Sequence, residues 1–157
     1  MNSVYDKARV EYFNMLKEKI RLEGERLNVQ PIWSEPRPIN EKNKKGEIPN
    51  HPISKAIGVY RIIYKPTMVV MYIGCGRIVN RKTRHRDVHG NGGKPILHLN
   101  SSSSSQAGIH MYKHDKDINN WLFQWCDVGS VGLSEIYELK LQQEEKPQFN
   151  NPNMAGK

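Results

Sequence analysis

Residues 57–74 read IGVYRIIYKPTMVVMYIG, and this stretch decides the fold. Its two halves, Ile57–Tyr64 and Met68–Gly74, are rich in β-branched and aromatic residues and flank Lys65-Pro66-Thr67. Two such runs around a short proline-containing break predict a β-hairpin. Pairing Tyr64 with Met68 puts Tyr60 opposite Tyr72. Directly opposed residues project from one face, so both tyrosines share a side of the sheet. A one-residue slip would part them.

The chain on either side completes a small domain. After Gly74-Cys75-Gly76 comes a basic run, predicted as a helix over about Ile78–Val88. It carries Arg77, Arg81, Lys82, Arg84 and Arg86, with His85 among them and no acid before Asp87. A solvated helix face normally mixes signs, so this cluster is a candidate phosphate-facing surface. WLFQWCDVG (121–129) predicts a third strand, with Trp121, Phe123 and Trp125 alternating toward the core. Residues 131–145 predict a helix capped by Ser130 or Ser134 and stopped at Lys146-Pro147. The expected class is α/β (α+β), a small antiparallel three-stranded sheet flanked by helices.

Upstream, Val4, Ala8, Tyr12, Met15, Leu16, Ile20 and Leu27 recur at helical spacing, predicting an amphipathic helix over 4–27. From Asn28 to Pro52 the prolines at 31, 36, 38, 49 and 52 argue against regular structure. Residues 1–56 thus read as a helix followed by a proline-rich arm, with Trp33 its anchor on the core. Residues 57–157 form the main domain. Within it, about residues 89–120 read as a polar insertion, including five consecutive serines, Ser101–Ser105.

Composition narrows the function. In 157 residues, 24 Lys and Arg face 16 Asp and Glu, a net charge of +8. Hydrophobic residues make up 37% and mean hydropathy is −0.72, enough for one core with polar extensions. No apolar run approaches the roughly 18 residues that span a bilayer. The first residues, MNSVYDKARVEYF, show no signal-peptide pattern. Cys75 and Cys126 make no disulfide framework and suit a reducing, cytoplasmic setting. Membrane, disulfide-rich secreted and fibrous classes are excluded, and the basic balance favours a polyanionic partner.

The order of motifs is more specific than the charge. Gly58-Val59-Tyr60 is followed, twelve residues after Tyr60, by Tyr72-Ile73-Gly74. Arg81 and His85 form an Arg-x3-His on the next helix. Glu138 is followed by Pro147 nine residues on and Asn150 twelve on. Across 58–150 this arrangement resembles the GIY-YIG nuclease family, with Val in place of the middle Ile of the first signature. Arg81 stands one residue closer to Tyr72 than the commoner spacing, which leaves Arg84 as a rival for the family's arginine.

The resemblance implies a Mg²⁺-dependent DNA endonuclease that hydrolyses phosphodiester bonds at a single metal site. Mn²⁺ is expected to substitute, and no organic cofactor is implied. Tyr60, Tyr72, Arg81, His85, Glu138 and Asn150 would form the catalytic set. Phosphodiester hydrolysis needs a base for water, charge neutralisation at phosphorus and a stabilised leaving oxygen. Glu138 offers a hard oxygen ligand for Mg²⁺. Arg81 offers a planar donor fork to a phosphate oxygen. Tyr60 is the expected base, given neighbours that lower its pKa, with Tyr72 or His85 relaying the proton. Asn150 orients the chain or a phosphate oxygen. Arg77, Lys82, Arg84, Arg86, Lys94 and Lys113 are the expected nucleic-acid contacts, with Asn91 and His114 as further candidates in the insertion.

The chain places no separate DNA-binding module after Asn150, so it is similar to compact restriction enzymes of the family. A phage or homing-type nuclease shares these features. Double-strand cleavage would be met most simply by a two-fold dimer on a palindromic site. The competing functions are a non-catalytic basic nucleic-acid-binding module and an RNA-directed enzyme. His110-x3-His114 has the spacing of zinc ligands on a helix, but no Cys-x2-Cys accompanies it.

Overall fold

The computed structural model describes residues 4–27, 32–41, 52–89 and 105–150. The chain divides into two units, Met1–Pro31 and Ile32–Lys157. The first holds helix α1 (Val4–Leu27), as the apolar spacing predicts. Among the described residues, no helix is long and apolar enough to cross a membrane.

The second unit is a mixed α+β fold around an antiparallel sheet of four strands. β1 is Arg37–Pro38, β2 Ile57–Tyr64, β3 Val69–Arg77 and β4 Trp121–Asp127, in the order β1-β4-β2-β3. The expected sheet had three strands; the fourth comes from the proline-rich arm. Arg37 and Pro38 pair with Phe123 and Leu122, and Ile39 N–H donates to the Trp121 carbonyl at 3.0 Å. Proline lacks a donor for a central ladder but is tolerated on an edge strand, where one side needs no partner. Ile39 is fully buried and Trp33 bridges Cys126, so the arm belongs to the core from Ile32 onward.

The hairpin register also differs from expectation. Tyr60 pairs with Gly74 and Ile62 with Tyr72, whereas Tyr64 pairs with Val69. Two features move the register. The turn extends through Met68, whose φ of 56° is left-handed, and the pairing shifts between Ile62 and Ile63, which leaves Met71 as an extra residue. The total shift is even, so Tyr60 and Tyr72 still share a face, as diagonal neighbours.

That face carries the cross-strand pairs Tyr60–Trp125, Ile62–Phe123 and Tyr64–Trp121. Against it pack Ile78 of α2 (Ile78–Asp87), Ala107 and Met111 of α3 (Gln106–His114), and Phe149. Stacking of Tyr60 on Phe123, with centroids 5.0 Å apart, fixes the tyrosine ring. Arg61 and Cys75 point to the other face, which is crossed by α4 (Val131–Glu145). Arg61 clamps Glu145 with hydrogen bonds of 3.1 and 2.7 Å while lying 4.0 Å over the Trp33 ring. Ser130 is the α4 N-cap, accepting from Leu133 N–H, and Lys146 ends the helix in the left-handed region before Pro147.

The stretch expected as a polar insertion contributes α3 to the core. Ser105 caps α3, and Ile109 and Tyr112 form a small apolar cluster with Val88. Asn91, Lys94 and Ser101–Ser104 lie outside the described residues.

Candidate active site

Two glycines on the tyrosine face of β3 make room for the site's own side chains. A Cβ on Gly74 would collide with the Tyr60 phenol and the Tyr72 ring. One on Gly76, at φ +132°, would stand 2.8 Å from Arg81 Nε. The space at these two glycines is filled by Tyr60 and Arg81.

Tyr60 is almost wholly buried, and its hydroxyl lies 2.5 Å from His85 Nε2. His85 Nδ1 meets Ser105 Oγ, which also accepts the Gly108 N–H at 2.8 Å. Tyr72 is half-buried, its ring 6.1 Å from that of Tyr60 and 5.6 Å from that of His85. Burial, reinforced by the cations of Arg81 and Arg84, pushes the His85 imidazole down to about 3. Histidine is therefore neutral at working pH. Burial also raises Tyr60 well above the ordinary phenol value, with Tyr72 adding and Arg81 opposing. This reverses the lowered pKa that a Tyr60 base requires. Tyr72 is raised by burial and then by Glu138, against hydrogen bonding from Tyr60 and the charge of Arg81.

Glu138, on α4, reaches the same end of β3 and bonds with the Cys75 thiol and Gln142. Burial raises its carboxyl above the usual range, Glu135 adds to this, and Arg81 opposes it. Burial and the Glu138 carboxylate in turn push the Cys75 thiol up to about 12, so it remains a thiol. Among the described residues, neither Glu138 nor Arg81 is held in an ion pair. A desolvated carboxylate that the Arg81 charge only partly offsets is one that a bound metal ion would stabilise further. Among the described residues no cluster of three or more His, Cys, Asp or Glu side chains forms. Glu138 is thus the one carboxylate of this group that could hold a cation, and a cation held by it alone would have to keep most of its shell as water or substrate oxygen.

Of the two candidate arginines, Arg81 is the one placed against this group of side chains. Arg81 lies against Gly76, and its charge reaches Tyr60, Tyr72, Cys75, Glu138 and His85. Arg84 acts only on His85 within this group. Arg77, Arg81 and Arg84 are exposed along α2 and its start, while Arg86 pairs with Asp87 at 3.1 Å. Lys113 is exposed on α3.

Lys82 is placed differently from expectation, and Asn150 takes the chain-orienting one of its two expected roles. Lys82 is turned inward, 7% exposed, and its Nζ donates to the Glu41 carbonyl at 3.0 Å. Arg37 clamps the Glu41 carboxylate at 2.5 Å, so Lys82 ties the arm to α2 and is not a phosphate contact. Asn150 forms a two-point bond with the Ile73 backbone, accepting its N–H at 2.8 Å and donating to its carbonyl at 2.9 Å. It completes the outer edge of β3, a structural task that takes up its carbonyl oxygen and one of its two amide N–H donors. Asn150→Ala should cost about 1–3 kcal/mol in urea unfolding by stranding these backbone groups. Activity should be lost only in proportion to unfolding.

His110 and His114 do not make a metal pair. His110 stacks on Phe149 at 5.3 Å, and His114 packs edge-on to Tyr64 and Trp121. Ser105 is the site residue that sequence reading missed. The signal was present: a serine just before apolar residues at helical steps, Ala107 to Met111 and Ile109 to Tyr112, marks an N-cap.

No protein-family model matches the chain, and no curated protein or solved structure matches it.

Proposed function

We propose that this chain is a metal-dependent DNA endonuclease with a GIY-YIG-type core, hydrolysing phosphodiester bonds of double-stranded DNA in the cytoplasm. The observation that carries the reading is the meeting of Glu138 and Arg81, neither held in an ion pair among the described residues, beside Tyr72 and the Tyr60–His85 pair. A binding module gains nothing from a buried carboxylate set against phosphate.

In this reading Arg77 and Arg84 engage flanking phosphates and Arg81 grips a non-bridging oxygen of the scissile phosphate. A Mg²⁺ on Glu138 would polarise a phosphate oxygen and offset the carboxylate's repulsion of negative charge on Tyr72. Tyr72, the more accessible tyrosine, first gives its phenol proton to solvent, favoured by the charge of Arg81, and as the phenolate accepts a proton from the attacking water. The new P–O bond forms as the bond to the leaving oxygen breaks, and that oxygen takes a proton from solvent. Tyr60 stands behind Tyr72 as its hydrogen-bonding support, which exchanges the roles expected from sequence. Site-specific, restriction-like cutting by a two-fold dimer is the form of the activity in this reading, since one active site cuts one strand.

The two arginines separate chemistry from binding. Arg81→Ala should lower kcat on a cleavable duplex by about 10²–10³-fold, the usual cost of one donor to developing charge. Arg84→Ala should weaken affinity and reduce the salt slope of log K by about one, leaving kcat at saturation near wild type. Equal effects of both variants on affinity alone would contradict the reading.

A further inference from the structure

Hydrogen-bond accounting around His85 carries one inference beyond the residues already assigned. Ser105 is 2% exposed and its oxygen accepts the Gly108 N–H. Its hydroxyl proton must then be donated, because a desolvated donor without an acceptor is costly. Among the described residues, the acceptor in reach is His85 Nδ1.

The two imidazole tautomers differ here. With the proton on Nδ1, Ser105 would accept twice and its own proton would have no partner among the described residues. With the proton on Nε2, every group in the chain is satisfied. Gly108 N–H donates to Ser105, Ser105 to His85 Nδ1, and His85 Nε2–H to Tyr60 Oη. The Tyr60 hydroxyl proton is then available to Tyr72.

We propose that Ser105 is a positioning residue of this site, holding His85 as the Nε2–H tautomer so that the Tyr60 hydroxyl is directed at the Tyr72 oxygen. All donors in the chain point the same way, and the end that collects them is the more accessible tyrosine. Such an array stabilises negative charge on Tyr72 without any group in it being charged. The Tyr72 ring lies 6.1 Å from that of Tyr60 on the same face of the sheet, and the lowering of the Tyr72 phenol by Tyr60, against burial and Glu138, agrees with this direction. The serine thus has two tasks, capping α3 and orienting the imidazole. The tautomer stands on geometry alone; its catalytic consequence rests on the nuclease reading.

The test compares Ser105→Gly and Ser105→Thr with wild type. Glycine is tolerated at helix N-caps, so it removes the hydroxyl while sparing α3, and threonine restores the hydroxyl. Long-range ¹H–¹⁵N spectra at pH 7 report the tautomer, the His85 signal being the one lost in His85→Gln. Wild type and Ser105→Thr should show a protonated Nε2 and an unprotonated Nδ1, and Ser105→Gly a mixture of tautomers. On cleavable DNA, Ser105→Gly should lose roughly 10- to 100-fold in kcat at unchanged KM, and Ser105→Thr should recover most of it. A protonated Nδ1 in the folded wild-type protein would overturn the proposal, as would equal kcat losses in both variants. If wild type cleaves no DNA, the nuclease reading falls, while the spectra still decide the tautomer.

Discussion

Glu138→Gln is expected to abolish cleavage, by about 10³-fold or more, while leaving DNA binding intact or tighter and making the protein more stable. The three effects share one cause. Glu138 is a desolvated carboxylate whose pKa is raised by burial, so its ionised form opposes folding at neutral pH. For such a group the sign is opposite to that of a salt-bridged acid: its contribution is favourable below the unfolded pKa and is lost as pH rises through the folded one. Glutamine keeps the shape and the bond to Gln142 without the charge. It also removes a negative charge facing the phosphate, which favours binding. What it cannot do is hold Mg²⁺.

A readout independent of cleavage follows from the same argument. Mg²⁺ should raise the Tm of wild type by mass action on the folded state and leave that of Glu138→Gln unmoved. Equal responses would place the cation elsewhere.

The second large effect is acid instability centred on His85. Its folded pKa is about 3, set by burial and by Arg81 and Arg84, against about 6.5 in an unfolded chain. Between those values only the unfolded state binds the proton, so stability is retained above about pH 6.5 and falls as the pH drops. One proton corresponds to about 1.4 kcal/mol per pH unit, or 2–3 kcal/mol between pH 6 and pH 4. His89 and His110, lowered chiefly by burial, and Asp115, whose carboxylate is hydrogen-bonded, slope the same way. The discriminating quantity is therefore a difference between proteins. Urea unfolding at pH 7, 6, 5 and 4 should show a shallower loss in His85→Gln than in wild type by about that slope. Parallel slopes would mean that the imidazole is not held neutral.

Much of the architecture was legible because local signals agreed with one another. Helices α1 and α4 run over the residues that apolar spacing and the Ser130 and Pro147 stops marked out. The two tyrosines were placed on one face by a pairing that was wrong in detail. A left-handed Met68 and an extra Met71 shift the register by an even amount, and period-two geometry forgives an even error. Neither residue carries a glycine-like signal for its conformation, so the shift could not be read.

β1 was hidden for a related reason. Arg37-Pro38 contradicts strand propensity, and only the exposed edge of β4 makes it acceptable. At the site, the chemistry-bearing side chains were visible as motifs, but their environments were not. Lys82 looks like one cation of a basic run, and its engagement with the Glu41 carbonyl depends on where the arm folds back. Asn150 looks like a catalytic amide, and its capture by the Ile73 backbone depends on β3 being an edge strand. The exchange of roles proposed for Tyr60 and Tyr72 rests on their difference in burial, which periodicity alone does not rank within one face.

The most direct measurement is incubation of supercoiled plasmids with the purified protein in Mg²⁺, beside an EDTA control and Glu138→Gln. The account predicts nicked or linear products from wild type that disappear in both controls, while Glu138→Gln still shifts the same DNA in a gel. Cleavage that survives EDTA or the loss of the Glu138 carboxylate would contradict it.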